Sequence, residues 1–107
     1  MQDTSAGASK NSKPIALQQY LKRNFSVPGY VPSWFPNILS AQIIGATAVV
    51  ETDLPQGHKK LASICAAVSG FVYMNHESKG TSEIKIVSLG NKTLLYRASV
   101  SERCEPL

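Results

Sequence analysis

The sequence predicts an α+β domain in which one central helix covers a three-stranded, mostly antiparallel sheet, plus an N-terminal helix that either joins the layer of the central helix or caps an end of the sheet. Three observations indicate this class. Apolar residues recur at helical spacing in residues 61–72, three segments rich in β-branched residues follow strand patterns, and the length of 107 residues allows a single core. The predicted order of elements is α-β-α-β-β, within one domain of residues 14–107.

Residues 1–13 differ in composition from the rest of the chain. They contain no large apolar residue after Met1 and are rich in Ser, Ala, Gly and Lys. Such a segment buries too little surface to offset the entropy of ordering, so we expect a flexible tail or linker. It lacks the apolar region of a signal peptide, as does a mature exported protein whose signal has been removed. The alternative is the ragged N-terminus of a cytosolic protein.

The first predicted helix spans residues 13–25. Ser12 is a suitable N-cap, Pro14 is tolerated in a first turn, and the apolar residues that follow have helical spacing. These apolar residues are Ile15, Leu17, Tyr20, Leu21 and Phe25. The helix ends where Pro28, Gly29, Pro32 and Pro36 interrupt regular structure.

Residues 39–53 predict the first strand, because they are rich in β-branched residues and bounded by turn-forming residues. Gly45 within this segment indicates a bulge or the close approach of another element. At its end, Asp53 and Gln56 form a variant of the capping box, with Pro55 in the first turn of the next helix. We therefore expect the central helix to begin directly after the strand.

The central helix is the clearest element of the sequence. Its apolar stripe consists of Leu61, Ile64, Cys65, Val68, Phe71 and Val72, and the pattern fades near Asn75. Residues 83–89 and 93–100 then alternate as two strands of a hairpin, with Gly90–Asn91 as a two-residue turn in which Gly takes positive φ. The strand–helix–strand crossover is expected to be right-handed.

The two cysteines lie at positions that allow them to meet. Cys65 is on the buried stripe of the central helix, and Cys104 follows the last strand, whose end can pass beneath that helix. We expect a Cys65–Cys104 disulfide, which would contribute roughly 3–4 kcal/mol and favour an oxidising compartment. The alternative is a buried thiol at Cys65 and an unrelated exposed thiol at Cys104.

Catalytic and metal-binding patterns are scarce. The sequence has no GxSxG, HExxH, GxGxxG or P-loop motif, and Ser69 within the central helix has no evident base. His58 and His76 are 18 residues apart, which is about 27 Å along a helix, too far to share a zinc ion. Glu51 and Asp53 share a strand face and are expected to be solvated. We predict a protein that is not an enzyme and has no cofactor or metal.

Charge and hydropathy limit the partners. The net charge is +4, and residues 1–50 hold four basic residues against one acidic residue. The largest basic clusters are only the pairs Lys22–Arg23 and Lys59–Lys60, so nucleic acid is not the expected partner. No apolar stretch approaches the roughly 20 residues of a membrane-spanning helix, and we expect no transmembrane segment.

The segment from Phe25 to Pro36 is the candidate for function. It holds four of the eight aromatic residues together with three prolines, and exposed aromatics on a stiff loop bind partners at low entropic cost. The predicted contact residues are Tyr30, Trp34, Phe35, Lys22 and Arg23. The alternative, favoured for most of these aromatic side chains, is a plug over the open end of the sheet.

One resemblance adds to this interpretation. Residues 52–73 read TDLPQGHKKLASICAAVSGFVY and are followed by a strand pair and Cys104. With its TDLP junction and its Ile64–Cys65 pair, the chain resembles, over residues 42–105, the mature part of small exported proteins and lipoproteins of Gram-positive bacteria, particularly actinobacteria, or of their phages. The resemblance implies binding at the cell envelope, and some phage-encoded members protect the host from a second infection.

Two functional hypotheses follow. The first is a non-enzymatic binding domain, extracellular or at the cell envelope, that contacts a protein partner through the loop of residues 27–36. The second is a small intracellular regulator that binds nucleic acid through the basic N-terminal half. Salt-sensitive binding to random DNA would distinguish the second from the first.

Overall fold

A computed structural model describes residues 16–75 and 78–106 of the chain. The tail predicted for residues 1–13 lies outside them. The helices are α1, which spans residues 16–25 of the described chain, and α2 (Lys60–Met74), and a short 3-10 helix spans Phe35–Asn37. The strands are β1 (Ile38–Ile44), β2 (Thr47–Thr52), β3 (Glu83–Val87), β4 (Thr93–Arg97) and β5 (Glu105–Pro106). The predicted α+β class is confirmed.

The strands form one mixed sheet in the order β1-β2-β3-β4-β5. β2 and β3 are parallel, and each of the other neighbouring pairs is antiparallel. A parallel pair cannot be joined by a tight turn, and α2 supplies the crossover between its two strands. The sheet therefore has five strands where the sequence predicted three, and the predicted order α-β-α-β-β is wrong in this detail.

The first difference lies in residues 39–53, which form a hairpin instead of one strand. Ile44 pairs with Thr47, and Gly45 has φ +62° at the first of the two turn positions. Glycine at that position suits a two-residue hairpin whose first central residue has positive φ. Gly45 is thus a turn residue and not a bulge, and Ala46, a residue with little turn preference, concealed the turn in the sequence.

The hairpin between β3 and β4 is confirmed, but its turn differs from the prediction. Ser88 donates its N–H to the carbonyl of Lys92 at 2.8 Å and accepts the N–H of Asn91 at 2.9 Å, which leaves a three-residue loop. Asn91, with φ +64°, takes the left-handed conformation that was expected at Gly90. This is the usual form of a three-residue hairpin loop, and asparagine tolerates it because its short side chain bonds locally.

Both helices pack on one face of the sheet. All six residues of the predicted stripe on α2 are buried, which confirms the periodicity of that helix. Leu17 and Leu21 of α1 join the same core, and the Tyr20 ring lies 5.3 Å from the ring of Phe71. The two helices come close at Gly70, where a Cβ atom would lie 3.0 Å from the Tyr20 hydroxyl.

The start of α2 departs from the predicted capping box. The helix begins at Lys60, and its N-cap residue, Lys59, makes no side-chain capping bond. His58 Nδ1 instead accepts the N–H of Lys60 at 3.1 Å. The carboxylate of Asp53 accepts a hydrogen bond from Asn37 Nδ2 at 2.8 Å. A turn at residues 55–58 separates Asp53 from the helix, so this residue was wrongly assigned as the cap.

Candidate functional site

The loop between α1 and β1 has an anchored base formed by aromatic side chains. Phe25 and Trp34 meet edge to face with ring centroids 5.0 Å apart, and Trp34 and Phe35 do so at 6.3 Å. All three side chains are half-buried and pack against the hydrophobic core. These three rings therefore pack inward against the core.

Polar contacts fix the end of this loop to the junction of β2 and α2. The carbonyl of Asn37 accepts hydrogen bonds from Thr52 Oγ1 at 2.9 Å and from the Asp53 N–H at 3.2 Å. Lys60 Nζ donates to the carbonyl of Ser33 at 3.4 Å. Thr52 is fully buried, so its hydroxyl needs this partner. The base of the loop is held from two elements of the fold.

The tip of the loop projects from this base. A β-turn runs from Val27 to Tyr30, whose N–H donates to the Val27 carbonyl at 2.9 Å, and Gly29 has φ +85°. Pro28 followed by glycine is the preferred sequence of a type II turn. Tyr30 is 81% exposed, and Val27 and Val31 are 44% and 46% exposed. These three residues, which we name the apolar tip, present an aromatic side chain between two aliphatic ones.

Two cations lie directly before the apolar tip. Lys22 and Arg23 are exposed near the end of α1, and the N–H of Ser26 bonds to the Lys22 carbonyl at 3.2 Å, so the loop continues from the last turn. Lys22 also lines a hollow of about 200 Å³ between α1 and β1, whose wall includes Leu39. Positive charge and exposed apolar surface are thus neighbours along the chain.

The predicted site residues fall into two groups. Tyr30, Lys22 and Arg23 are exposed, whereas Trp34 and Phe35 support the loop from beneath. The sequence interpretation did not single out Val27 and Val31. The signal that could have found them is the Pro28–Gly29 turn, because side chains that flank a tight surface turn tend to be exposed.

The residues considered for catalysis have structural partners. Ser69 Oγ donates to the carbonyl of Cys65 at 2.7 Å and accepts from Arg97 at 2.8 Å. Within residues 16–75 and 78–106, no group of three or more His, Cys, Asp or Glu side chains is placed to hold a metal ion. His76 lies outside these ranges. None of the described helices has the length and apolar character needed to cross a bilayer.

Perturbed tyrosines lie on two sides of the sheet. Burial raises the pKa of Tyr96, and its hydrogen bond to Glu83 on the neighbouring strand raises it further. Burial also raises the pKa of Tyr73, although the guanidinium of Arg97, 4.7 Å above its ring, acts in the opposite direction. The hydroxyl of Tyr73 donates a hydrogen bond to the carbonyl of Ser82 at 2.8 Å.

The disulfide between Cys65 and Cys104 is confirmed. Its Cα atoms are 6.4 Å apart and its two residues are 39 positions apart in sequence. The bridge joins the buried face of α2 to the segment that leads into β5, and Cys65 is fully buried. The alternative of two unrelated thiols is therefore wrong.

Comparison with protein-family models, with curated proteins and with solved structures finds no match to this chain.

Proposed function

We propose that this protein is a non-enzymatic, disulfide-stabilised binding domain that acts outside the cytoplasm and contacts a protein partner through the apolar tip, with Lys22 and Arg23 at its margin. The observation that carries the proposal is Tyr30, 81% exposed on a turn whose base is anchored. A large aromatic side chain in that setting has no role in the core and is presented to solvent. Exposed aromatics that are held in place are typical of binding hot spots.

The rigidity of the loop favours binding. Trp34 and Phe35 pack beneath it, and Pro28 and Gly29 set the turn, so little loop entropy remains to be lost when a partner binds. Tyrosine adds a large contact area with only two rotatable side-chain bonds. A partner pocket that takes up Tyr30 would therefore gain most of the burial energy of the ring.

The charges beside the tip indicate the chemistry of the partner. Lys22 and Arg23 are exposed, and the chain as a whole carries a net charge of +4. A partner with acidic groups around an apolar pocket complements this surface, and its association would slow as salt is added. The disulfide supports an oxidising compartment, because such bonds persist in secreted and cell-envelope proteins.

The finer form of the proposal is the mature part of an envelope lipoprotein, including the type by which a phage excludes a second infection. The resemblance over residues 42–105 supports this form, and the exposed tip gives such a protein a surface with which to contact an envelope component. Intact mass of the protein from its native host tests it. An added lipid mass supports a lipoprotein, and an unmodified N-terminus at Met1 contradicts it.

The binding site is tested by Tyr30→Ala, with Leu89→Ala as the matched control. Leu89 is 68% exposed on a different loop, so both variants remove a large exposed apolar side chain. We expect Tyr30→Ala to weaken capture of an envelope protein by roughly 30-fold, as loss of a hot-spot residue does, and Leu89→Ala to leave it unchanged.

Capture is measured by affinity purification from detergent-solubilised envelope, with the retained protein quantified by mass spectrometry. Circular dichroism melts establish that both variants are folded. Equal capture by Tyr30→Ala and the native protein would remove the apolar tip from the proposed site.

A further inference from the structure

From Ser40 to Ile44 the edge strand β1 has no charge, proline or bulge, which are features that usually protect a sheet edge. Its seven residues, ILSAQII, include no charged residue and no proline. Leu39 and Ile44 are 45% and 56% exposed. Natural sheets guard their edges with lysine, proline, bulges or very short strands, since unpaired backbone groups invite another strand. β1 has a bulge at Leu39, but its remaining residues pair regularly with β2 from Ser40 to Ile44.

The hairpin determines which backbone groups of β1 face outward. In a two-residue hairpin the residues that flank the turn, here Ile44 and Thr47, exchange both backbone hydrogen bonds. Alternate residues of an edge strand then point their N–H and C=O groups toward and away from the neighbouring strand. Ile44 and Gln42 bond toward β2, and Ile43 and Ala41 present their backbone groups at the open edge.

We propose that β1 pairs antiparallel with β1 of a second copy of this chain, about a two-fold axis at Ala41, and joins two sheets into one. Ala41 then lies opposite Ala41 of the second copy, and the two residues exchange both backbone bonds. An antiparallel ladder allows this register, because the N–H and C=O groups of Ala41 face outward and can bond the same groups of the second copy.

The pattern of side chains supports a second copy over a strand of another protein. Read from Ala41 in either direction, the strand continues with a polar residue and then two apolar ones. In the proposed register Ser40 faces Gln42 of the second copy, and Leu39 faces its Ile43. An interface between identical copies needs this self-complementarity, whereas pairing with an unrelated strand does not. With no charge on β1, no like charges oppose each other within the paired strands.

Two double variants test this register directly. Ser40 and Gln42 lie on the sheet face that the helices leave open, where Gln42 is exposed and Ser40 Oγ lies 3.4 Å from Glu51 Oε1. S40K/Q42K places lysine opposite lysine twice across the two-fold axis, and S40K/Q42E places lysine opposite glutamate twice. Both variants carry the same S40K change beside Glu51, so they differ from each other only at position 42. We expect the dimer dissociation constant of the first to exceed that of the second by roughly tenfold or more.

Sedimentation velocity and light scattering measure the assembly state over a concentration series. The native chain and S40K/Q42E are expected to shift from the 11.6 kDa monomer to a species of twice that mass, and S40K/Q42K to do so only at higher concentration. A native protein that is monomeric up to roughly 1 mM, or equal dissociation constants for the two variants, overturns the proposal.

Ala41→Pro provides an independent test. Proline removes an N–H that faces the open edge, a position at which sheets tolerate proline. We expect this variant to retain its circular dichroism spectrum and to lose the dimer. A dimer as tight as that of the native chain would contradict the proposed pairing. Gln42→Pro is the control that disturbs the fold, because that N–H bonds toward β2.

Discussion

The two edges of the sheet are built differently. β1 is seven residues long, uncharged and free of proline, and it presents backbone groups over most of its length. β5 has two residues, Glu105 and Pro106, both exposed. The Cys65–Cys104 disulfide places β5 beside β4 by fixing the preceding residue to α2. Among residues 16–75 and 78–106, nothing pairs with the outer side of β1, whereas the β5 edge combines a charge, a proline and a covalent attachment.

This difference determines what assembly the sheet can support. A chain with two open edges can add copies without limit, as in fibres. A chain with one open edge is complete after one pairing, since the second copy also presents only its guarded edge outward. The short, proline-containing β5 therefore makes the proposed dimer a closed one.

The largest expected effect on stability comes from breaking the disulfide that attaches the β5 edge of the sheet to α2. Reduction of the Cys65–Cys104 disulfide reopens a loop of 39 residues and should lower the free energy of unfolding by roughly 4 kcal/mol. Urea denaturation with and without reductant measures the change, with alkylation to keep the thiols apart. A midpoint that is the same in both states would mean that the bridge adds little to the packing of α2.

Replacing Arg97 should cause a smaller loss of stability, because this residue holds the segment that leads to β5. Its guanidinium donates to the carbonyls of Ser99 and Val100 at 3.2 and 2.9 Å and lies over the ring of Tyr73. Arg97→Met keeps the apolar stem and removes these bonds, so stability should fall by about 2 kcal/mol. The exposed Arg103, replaced by Met in the same way, is the control and should change stability by less than about 0.5 kcal/mol. Equal losses in urea titrations would contradict this role.

The smallest expected effect is a difference in amide hydrogen exchange between the two edges of the sheet. It is measured on the native chain, without any substitution. At low protein concentration the outward amides of Ala41 and Ile43 should exchange at least about tenfold faster than the inward amides of Gln42 and Ile44. Raising the concentration should slow Ala41 and Ile43 as copies pair. Tyr96, which pairs with Glu105, should show no concentration dependence. Uniform exchange along β1 at every concentration would argue against an open edge.

The elements that the sequence predicted well are those with long periodic patterns. The stripe of α2 was predicted in full because six apolar residues repeat over three helical turns, and each is buried. The helical spacing around Leu17 and Leu21 likewise predicted α1. In both helices the spacing of the apolar residues along the sequence indicates which side of the helix is buried in the core.

The elements that were missed depend on single residues or on distant contacts. One turn at Gly45 divides the first predicted strand, and strand patterns continue through a two-residue turn without a break. β5 has only two residues, too few for any periodicity, and pairs with β4 where the disulfide at Cys104 holds the chain. Asp53 matched a capping motif, yet Asn37, 16 residues earlier, binds its carboxylate. A sequence motif that covers only a few neighbouring residues does not predict a contact over this distance along the chain.

The candidate site was predicted only in part, because the exposure of its side chains also depends on distant contacts. Aromatic and proline content marked the correct loop, but composition does not separate side chains that support a loop from those that it displays. Trp34 and Phe35 lie beneath the loop because Asn37 and Lys60 tie its end to α2 and β2. Tyr30 lies outside because Gly29 reverses the chain just before it.

The bridge between Cys65 and Cys104 also governs how the protein withstands proteases. A single cut anywhere between these residues, such as after Lys92 in the exposed hairpin loop, leaves two fragments that are still covalently joined. The ring contains most of α2 together with β3 and β4, so a nicked molecule keeps these elements on one covalent framework. A cut in the loop of residues 26–34 lies outside the ring and severs α1 from the rest. A cut in this loop is therefore expected to weaken the proposed binding at the apolar tip, whereas a cut between Cys65 and Cys104 leaves its two fragments joined.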